Sequence, residues 1–395
     1  MTRRNHRRTL RLESLENREV LSGPTADQAY MLELVNLART NPAAAAEKFT
    51  SNLDANVTAT IAYYNVDLNA VRNTIASSPV QPPLAWNDQI GQAAQGQSQY
   101  QASTGVQSHT GANGENLNQR LSDAGYGPTS SSGEDIYAYS TSPVEAMQAF
   151  LIDWGVASDG HRLNIQQPSV SPADAYKDAG VGIVTTNGSN IGPQIITVDF
   201  ASKPNEQAQL IGLAYNDLNN DNFYEPGEGQ AGVTVQATNL ATGAQASTQT
   251  QDAGYYDLAL APGDYEVTAT RNGQVISNQN VTINNVNVEV DYNLTQLAES
   301  GTPPAPAAQV MAAAVSTPST PAPVTPPSNP APVTPASNST PTPTQTPAPQ
   351  NTVVIPQQNT VTIPQSSSTP AVSSIFSKIF GSGTQFSLTS WGAGS

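Results

Sequence analysis

The chain has 395 residues, room for two domains with tails, and 15 Lys+Arg against 31 Asp+Glu give it a formal charge of −16. Residues 1–23 hold six of the basic side chains, leaving nine basic against 28 acidic elsewhere, a balance that excludes nucleic-acid binding by the folded part. With no cysteine, disulfides and thiol chemistry are excluded, and no apolar run approaches the roughly 20 residues that span a bilayer.

Residues 1–23 read as a basic leader, a candidate export or sorting signal, although Leu10–Leu21 is too charged for a standard secretory core. Residues 24–203 read as mixed α/β. Apolar spacing predicts a helix over 29–39, stopped at Asn41-Pro42, and one or two weakly patterned helices over 53–76. Asn87 or Asp88 caps a helix running to about Tyr100, and Ser142-Pro143 opens another with Val144, Met147, Phe150 and Leu151 on one face. Runs 180–186 and 194–201, joined by a Gly/Asn/Pro loop, predict a β-hairpin.

Residues 208–297 change to strand-like alternation at 233–237, 255–258, 265–269, 281–283 and 286–292, the rhythm of an all-β sandwich. Residues 300–373 are Pro/Thr/Ser-rich: 301–370 hold 18 of the 31 prolines, and PAPVTPPSN at 321–329 repeats as PAPVTPASN. Such a segment is expected to be a disordered stalk. A short C-terminal segment, 374–395, carries an apolar cluster at 375–380 with no evident role.

Only three histidines occur, and two lie in short motifs: Ser108-His109-Thr110-Gly111 and Gly160-His161-Arg162-Leu163-Asn164-Ile165, with Gly133-Glu134-Asp135 between them. Imidazole with carboxylate suits proton transfer or zinc. A second acid is implied by the CAP-domain resemblance given below, and Asp153 and Asp159 are the candidates for it. Asp153 is preferred, since eight residues before His161 on a helix it would lie about two turns back on nearly the same face. His109, Glu134, His161 and Asp153 thus form a candidate catalytic quartet. His109, His161 and Glu134 form a possible zinc set with an open position for water. The competing reading is a hydrogen-bond network lining a binding cleft, and no nucleophile-elbow motif accompanies the quartet.

A second constellation is contiguous. In Asp217-Leu218-Asn219-Asn220-Asp221-Asn222-Phe223-Tyr224-Glu225-Pro226-Gly227-Glu228, Asp217, Asn219, Asp221, the Phe223 carbonyl, Glu225 and Glu228 stand at positions 1, 3, 5, 7, 9 and 12. That is the calcium-ligand spacing of an EF-hand loop, with Asn222 where glycine is usual.

Several motifs stand in one order: Asn36 and Arg39 on the first helix, Pro83–Asn87, the Ser-His-Thr-Gly motif, Arg120 with Ala124-Gly125-Tyr126, Gly133-Glu134-Asp135, Gly160–Ile165, Gly180-Val181-Gly182 and Val198-Asp199-Phe200. In these the segment resembles a bacterial, cysteine-free CAP domain (cysteine-rich secretory, antigen 5 and pathogenesis-related 1). The resemblance implies an α-β-α sandwich whose cleft holds two histidines and usually two acids, taking zinc or another divalent ion in some members. Asp135 replaces the Asn usual after Gly-Glu. Gly114-Glu115-Asn116 has the usual sequence but stands too early, and is read as a decoy. Residues 208–295 resemble an SdrD B-like (Cna-B-related) repeat of surface adhesins, implying a prealbumin-like β-sandwich braced by Ca²⁺. No lysine lies between Lys203 and Lys378, so the isopeptide crosslink of some relatives is ruled out. The leader resembles the short basic leaders of planctomycete surface proteins, with Glu19 and Val20 where those favour Arg and Leu.

These readings converge on an extracellular or cell-surface binding module on a stalk, with a lipid, peptide or cell-envelope component as partner. The alternatives are a secreted metal-dependent hydrolase and a structural, adhesin-type envelope protein.

Overall fold

The computed structural model describes residues 23–187 and 189–300, with side chains to 298; the leader through residue 22 and everything after 300 lie outside the described residues. The N-terminal domain starts with α1 (Ala26–Thr40), α2 (Pro42–Thr50), α3 (Ala55–Tyr63) and α4 (Leu68–Ala76), then β1 (Ala85–Trp86) and α5 (Asp88–Thr104). There follow α6 (Leu117–Asp123), β2 (Ser131–Ser140), α7 (Pro143–Ile152), α8 (Gly160–Gln166), β3 (Asp178–Thr185) and β4 (Gln194–Ser202).

Short polar side chains start these helices. Thr25 and Gln28 form a reciprocal capping box on α1. Asp54, Asp67, Asn87 and Ser142 accept from the first-turn N–H groups of α3, α4, α5 and α7. Asn41 closes α1 and caps α2, so Asn41-Pro42 is a bend between helices rather than an end. The sequence reading omitted α6, α8 and β2, which are short or carry mixed polar and apolar residues.

The sheet has the order β1-β3-β4-β2, with β1 parallel to β3 and the other pairs antiparallel. Helix α5 packs directly on the backbone of β3: a Cβ at Gly180 would meet the Gly91 nitrogen at 2.1 Å, and one at Gly182 the Ala94 carbonyl oxygen at 2.2 Å. That contact is the physical reason for the Gly-Val-Gly motif. The α1, α7 and α8 layer covers the other face, making an α-β-α sandwich. Arg39 is fully buried there, donating to the carbonyls of Pro82 (2.8 Å), Ile165 (2.7 Å) and Tyr176 (3.4 Å) and to Gln167 Oε1 (3.1 Å).

The second domain comprises β5 (Gln209–Tyr215), β6 (Thr234–Asn239), β7 (Gln245–Gln249), β8 (Tyr255–Ala259), β9 (Gly263–Arg271), β10 (Gln274–Ile283), β11 (Val288–Glu289), β12 (Tyr292–Asn293) and α9 (Leu294–Ser300). One sheet runs β10-β9-β6-β7; in the other, β5 pairs with β8 on one side and with β11 and β12 in succession on the other. The predicted strand over 286–292 is therefore two short pieces.

The domains share a core. Ile211, Leu213, Tyr215, Tyr224, Ala253 and Tyr255 pack in one buried cluster with Met31, Leu34, Val35 and Trp86. Asn287 donates to the carbonyls of Pro83 (3.1 Å) and Lys177 (2.7 Å), and the Trp86 N–H donates to the Tyr255 hydroxyl (2.8 Å).

Candidate functional site

Strand β2 carries Glu134 and Asp135 in succession, so their side chains leave on opposite faces of the sheet. Each organises one histidine. On the α6 face, His109 Nδ1 lies 2.9 Å from Glu134 Oε1, while Arg120 of α6 pairs with Glu134 Oε2. Arg120 also donates to the His109 carbonyl (3.0 Å), tying the histidine loop to the carboxylate it binds. Glu134 is nearly buried, whereas the His109 side chain is 47% exposed, so the imidazole is the reachable end of the pair.

Across the ladder from Glu134 sits Asp199, fully buried, with neither carboxylate oxygen accepting a well-formed hydrogen bond. Burial first, then the adjacent Glu134, push its carboxyl well above the usual range.

On the other face, His161 opens α8. Its Nδ1 lies 2.7 Å from Asp153 Oδ1, and Asp153 Oδ2 accepts the backbone N–H groups of His161 (3.1 Å) and Arg162 (3.3 Å). Asp153 does not sit two turns back on the same helix. It ends α7 in a left-handed conformation (φ 58°), and the chain turns so that its carboxylate caps the next helix. Asp159 points away and pairs with Arg162 (2.6 Å) at the surface. Burial acts to lower the His161 pKa, but the Asp153 bond and the charges of Asp135 and Asp153 outweigh it, and the net shift is upward. Asp135 accepts from Asn164 Nδ2 (2.8 Å), and burial pushes it up to about 8 against the pull of His161 and Asn164.

The quartet is thus two half-sites on either side of an edge strand. Its donor atoms are not gathered: among the described residues, the one group of three possible metal ligands within 4.8 Å of one another is Glu33, Glu289 and Asp291. Glu134 is engaged by Arg120, and His109 lies in the loop after α5 whereas His161 opens α8, so the possible zinc set of His109, His161 and Glu134 is not gathered as it stands. Glu115 of the early Gly-Glu-Asn lends its carbonyl to Gly111 N–H (2.8 Å), while Asn116 caps α6.

Sequence reasoning missed Arg120, Asp135 and Asp199 as parts of the site. Arg120 carried a signal, being the sole Lys or Arg between Arg72 and Arg162.

Residues 32–200 match the profile of the cysteine-rich secretory protein family, CAP. This segment is a CAP domain. Within it, the Gly-Val-Gly strand and the paired His–carboxylate motifs occupy the positions described above. Residues 224–295 match the carboxypeptidase regulatory-like domain, consistent with the second domain being an all-β sandwich. A solved structure, an extracellular protein containing an SCP domain from Bacillus anthracis str. Ames, aligns at 23% identity and TM-score 0.25, covering 37% of this chain and 41% of that one. A search of curated proteins gave no match.

The acidic loop lies between β5 and β6. Glu228 closes it, accepting Leu218 N–H on Oε1 and Glu225 N–H on Oε2, both at 2.8 Å. Asp217 accepts the N–H groups of Asp221 (3.2 Å) and Asn222 (3.0 Å), and Asn220 and Asn222 take left-handed φ values of 61° and 62°. Asn tolerates at position 6 the conformation that glycine usually supplies. Burial, then Asp221 and Glu228, push Glu225 up to about 7. The all-oxygen donor set on one short turn suits a hard cation. The loop rests on the CAP domain: the Phe223 ring meets Tyr30 edge-on (centroids 6.2 Å) and lies 4.3 Å from Lys48 Nζ.

Among the described residues, no helix is long and apolar enough to cross a membrane.

Proposed function

We propose that the chain is an extracellular or cell-surface recognition protein whose CAP cleft binds a lipid, peptide or envelope component, with a Ca²⁺-braced sandwich beside it. The observation that carries this reading is Glu134: both its oxygens are engaged, one by His109 and one by Arg120, so it serves as a fixed anion that orients an exposed imidazole. His161 is likewise fixed through Nδ1, which leaves Nε2 as its second hydrogen-bonding atom. Oriented polar groups of this kind give specificity to a binding site. In the sandwich, Asp217, Asn219, Asp221, the Phe223 carbonyl, Glu225 and Glu228 would hold calcium. Extracellular calcium is abundant enough to fill a weak site.

The test pairs zinc calorimetry with hydrolysis assays on peptidoglycan and a peptide library, using the full chain and the His109→Ala/His161→Ala variant. The recognition reading expects no stoichiometric zinc binding and no turnover. Zinc-dependent hydrolysis lost in the variant would establish the hydrolase instead.

A further inference from the structure

An aromatic band continues the His161 half-site along strand β2. Alternation on that strand puts Tyr137 and Tyr139 on the face of Asp135, the face on which His161 stands. The Tyr137 ring meets Tyr139 edge-on (centroids 6.1 Å) and Trp154 in the same way (6.1 Å). Trp154 follows Asp153, the residue that holds the imidazole. Tyr64 completes the row: its ring lies against the Gly155 backbone, where an added Cβ would stand 2.8 Å from Cε1. Packing anchors these rings from beneath: Tyr137 on the main CAP core, Trp154 on Val57, Ile61 and Ile152, and Tyr139 beside Ile191 and Ile195. Their other side is partly open, and Tyr64 is 37% exposed.

The polar ends of the rings are uncommitted. Among the described residues, no group hydrogen-bonds the hydroxyls of Tyr64, Tyr137 and Tyr139 or the Trp154 indole N–H. A ligand for the band must therefore offer each ring an apolar face and carry hydrogen-bonding groups around its rim. An alkyl chain would desolvate these four groups and return nothing. A peptide adding as a strand meets Ala138, between the two tyrosines, with both backbone groups bonded. Its N–H donates to Gln107 Oε1 (3.0 Å) and its carbonyl accepts the Gly192 N–H (2.7 Å). An anionic polymer meets Glu145 and Asp54, whose charges add to burial in raising the Tyr137 hydroxyl. A neutral pyranose meets all three conditions. Its C–H face carries partial positive charge that the negative face of an aromatic ring attracts, and its hydroxyls both donate and accept.

We propose that Tyr64, Trp154, Tyr137 and Tyr139 form a platform for a neutral glycan, with its sugar rings over the aromatic faces beside His161. This rests on the recognition reading of the cleft and names its ligand class. Rings already packed on one side lose little side-chain freedom on binding.

Calorimetry of the full chain with chitohexaose, cellohexaose and maltohexaose tests the platform. At least one is expected to bind stoichiometrically, with Tyr139→Ala and Trp154→Ala each weakening it about three- to tenfold. Tyr137→Phe keeps the ring and removes the hydroxyl, and should weaken binding roughly fivefold. Circular dichroism checks the fold of each variant, and the Tyr139 and Tyr137 substitutions keep the test decisive if Trp154→Ala unfolds. No binding of any hexasaccharide, or binding that all three substitutions leave unchanged, would overturn the platform. Binding of phosphatidylcholine vesicles that Tyr137→Phe leaves intact would assign the band to lipid and likewise overturn it, while recognition stands. Release of reducing ends from a bound hexasaccharide, lost in His161→Ala, would keep the platform and replace recognition by hydrolysis.

Discussion

The imidazole half-sites of the CAP domain and the acidic loop of the sandwich both hold charged side chains in place, by opposite routes. The loop does it within twelve consecutive residues, each carboxylate accepting N–H groups a few positions away. The histidines depend on partners from elsewhere: Glu134 is 25 residues from His109, and Arg39, which grips the end of α8, is 126 residues from Ile165. In the loop the fixing contacts are local, whereas for the histidines they come from distant parts of the chain.

The comparison is most sharply broken by removing the long-range grip. Arg39→Ala leaves several buried carbonyls without a donor and should cost on the order of 4 kcal/mol, read by urea denaturation. A cost near zero would mean that α8 holds itself. Asp153→Ala should cost about 2–3 kcal/mol, since it removes a helix cap and a charged hydrogen bond together. The same substitution should lower the His161 pKa in an NMR titration. Because the folded His161 pKa is raised, its contribution is full below the unfolded value near 6.5 and is lost as pH rises through the folded value. In the substituted protein that loss should disappear.

For the loop, saturating calcium at about one hundred times its dissociation constant should add roughly 2.7 kcal/mol, seen as a rise in Tm reversed by chelator. Glu228→Gln should abolish the rise while leaving the apo protein folded. Calcium-independent melting would remove the ion from the account.

The domain junction titrates separately. Glu33 meets Glu289 and Asp291 there, and burial raises all three carboxyls, Asp291 to about 6 and Glu289 to about 8. Raised folded values mean that the protonated group is favoured by folding. Stability should thus be highest below the unfolded carboxyl range and fall as pH rises through about 6 and then about 8. Glu289→Gln/Asp291→Asn should flatten that slope in pH-dependent melting curves. The smallest effect is expected for Asp159→Ala, whose pair with Arg162 is half exposed: under about 1 kcal/mol, with the His161 titration unchanged. A shift there would reverse the choice between the two acids.

Much of the molecule was legible without coordinates because its signals are local. Asn87 and Ser142-Pro143 mark helix starts through groups that bond their own first turn, whereas Asn41-Pro42, read as a stop, also starts α2. The acidic loop announced itself by spacing alone, and its left-handed Asn222 was foreseen from the side chain that tolerates it. The sequence by itself therefore marked the starts of α5 and α7, an α/β region followed by an all-β one, and the acidic spacing of the loop. Tertiary structure decided the rest. Only folding brings Arg120 and Asp199 to Glu134, turns Asp153 back onto His161, and parts the quartet across an edge strand. Burial sets those charges, and burial depends on which distant surfaces meet, which no spacing along the chain encodes.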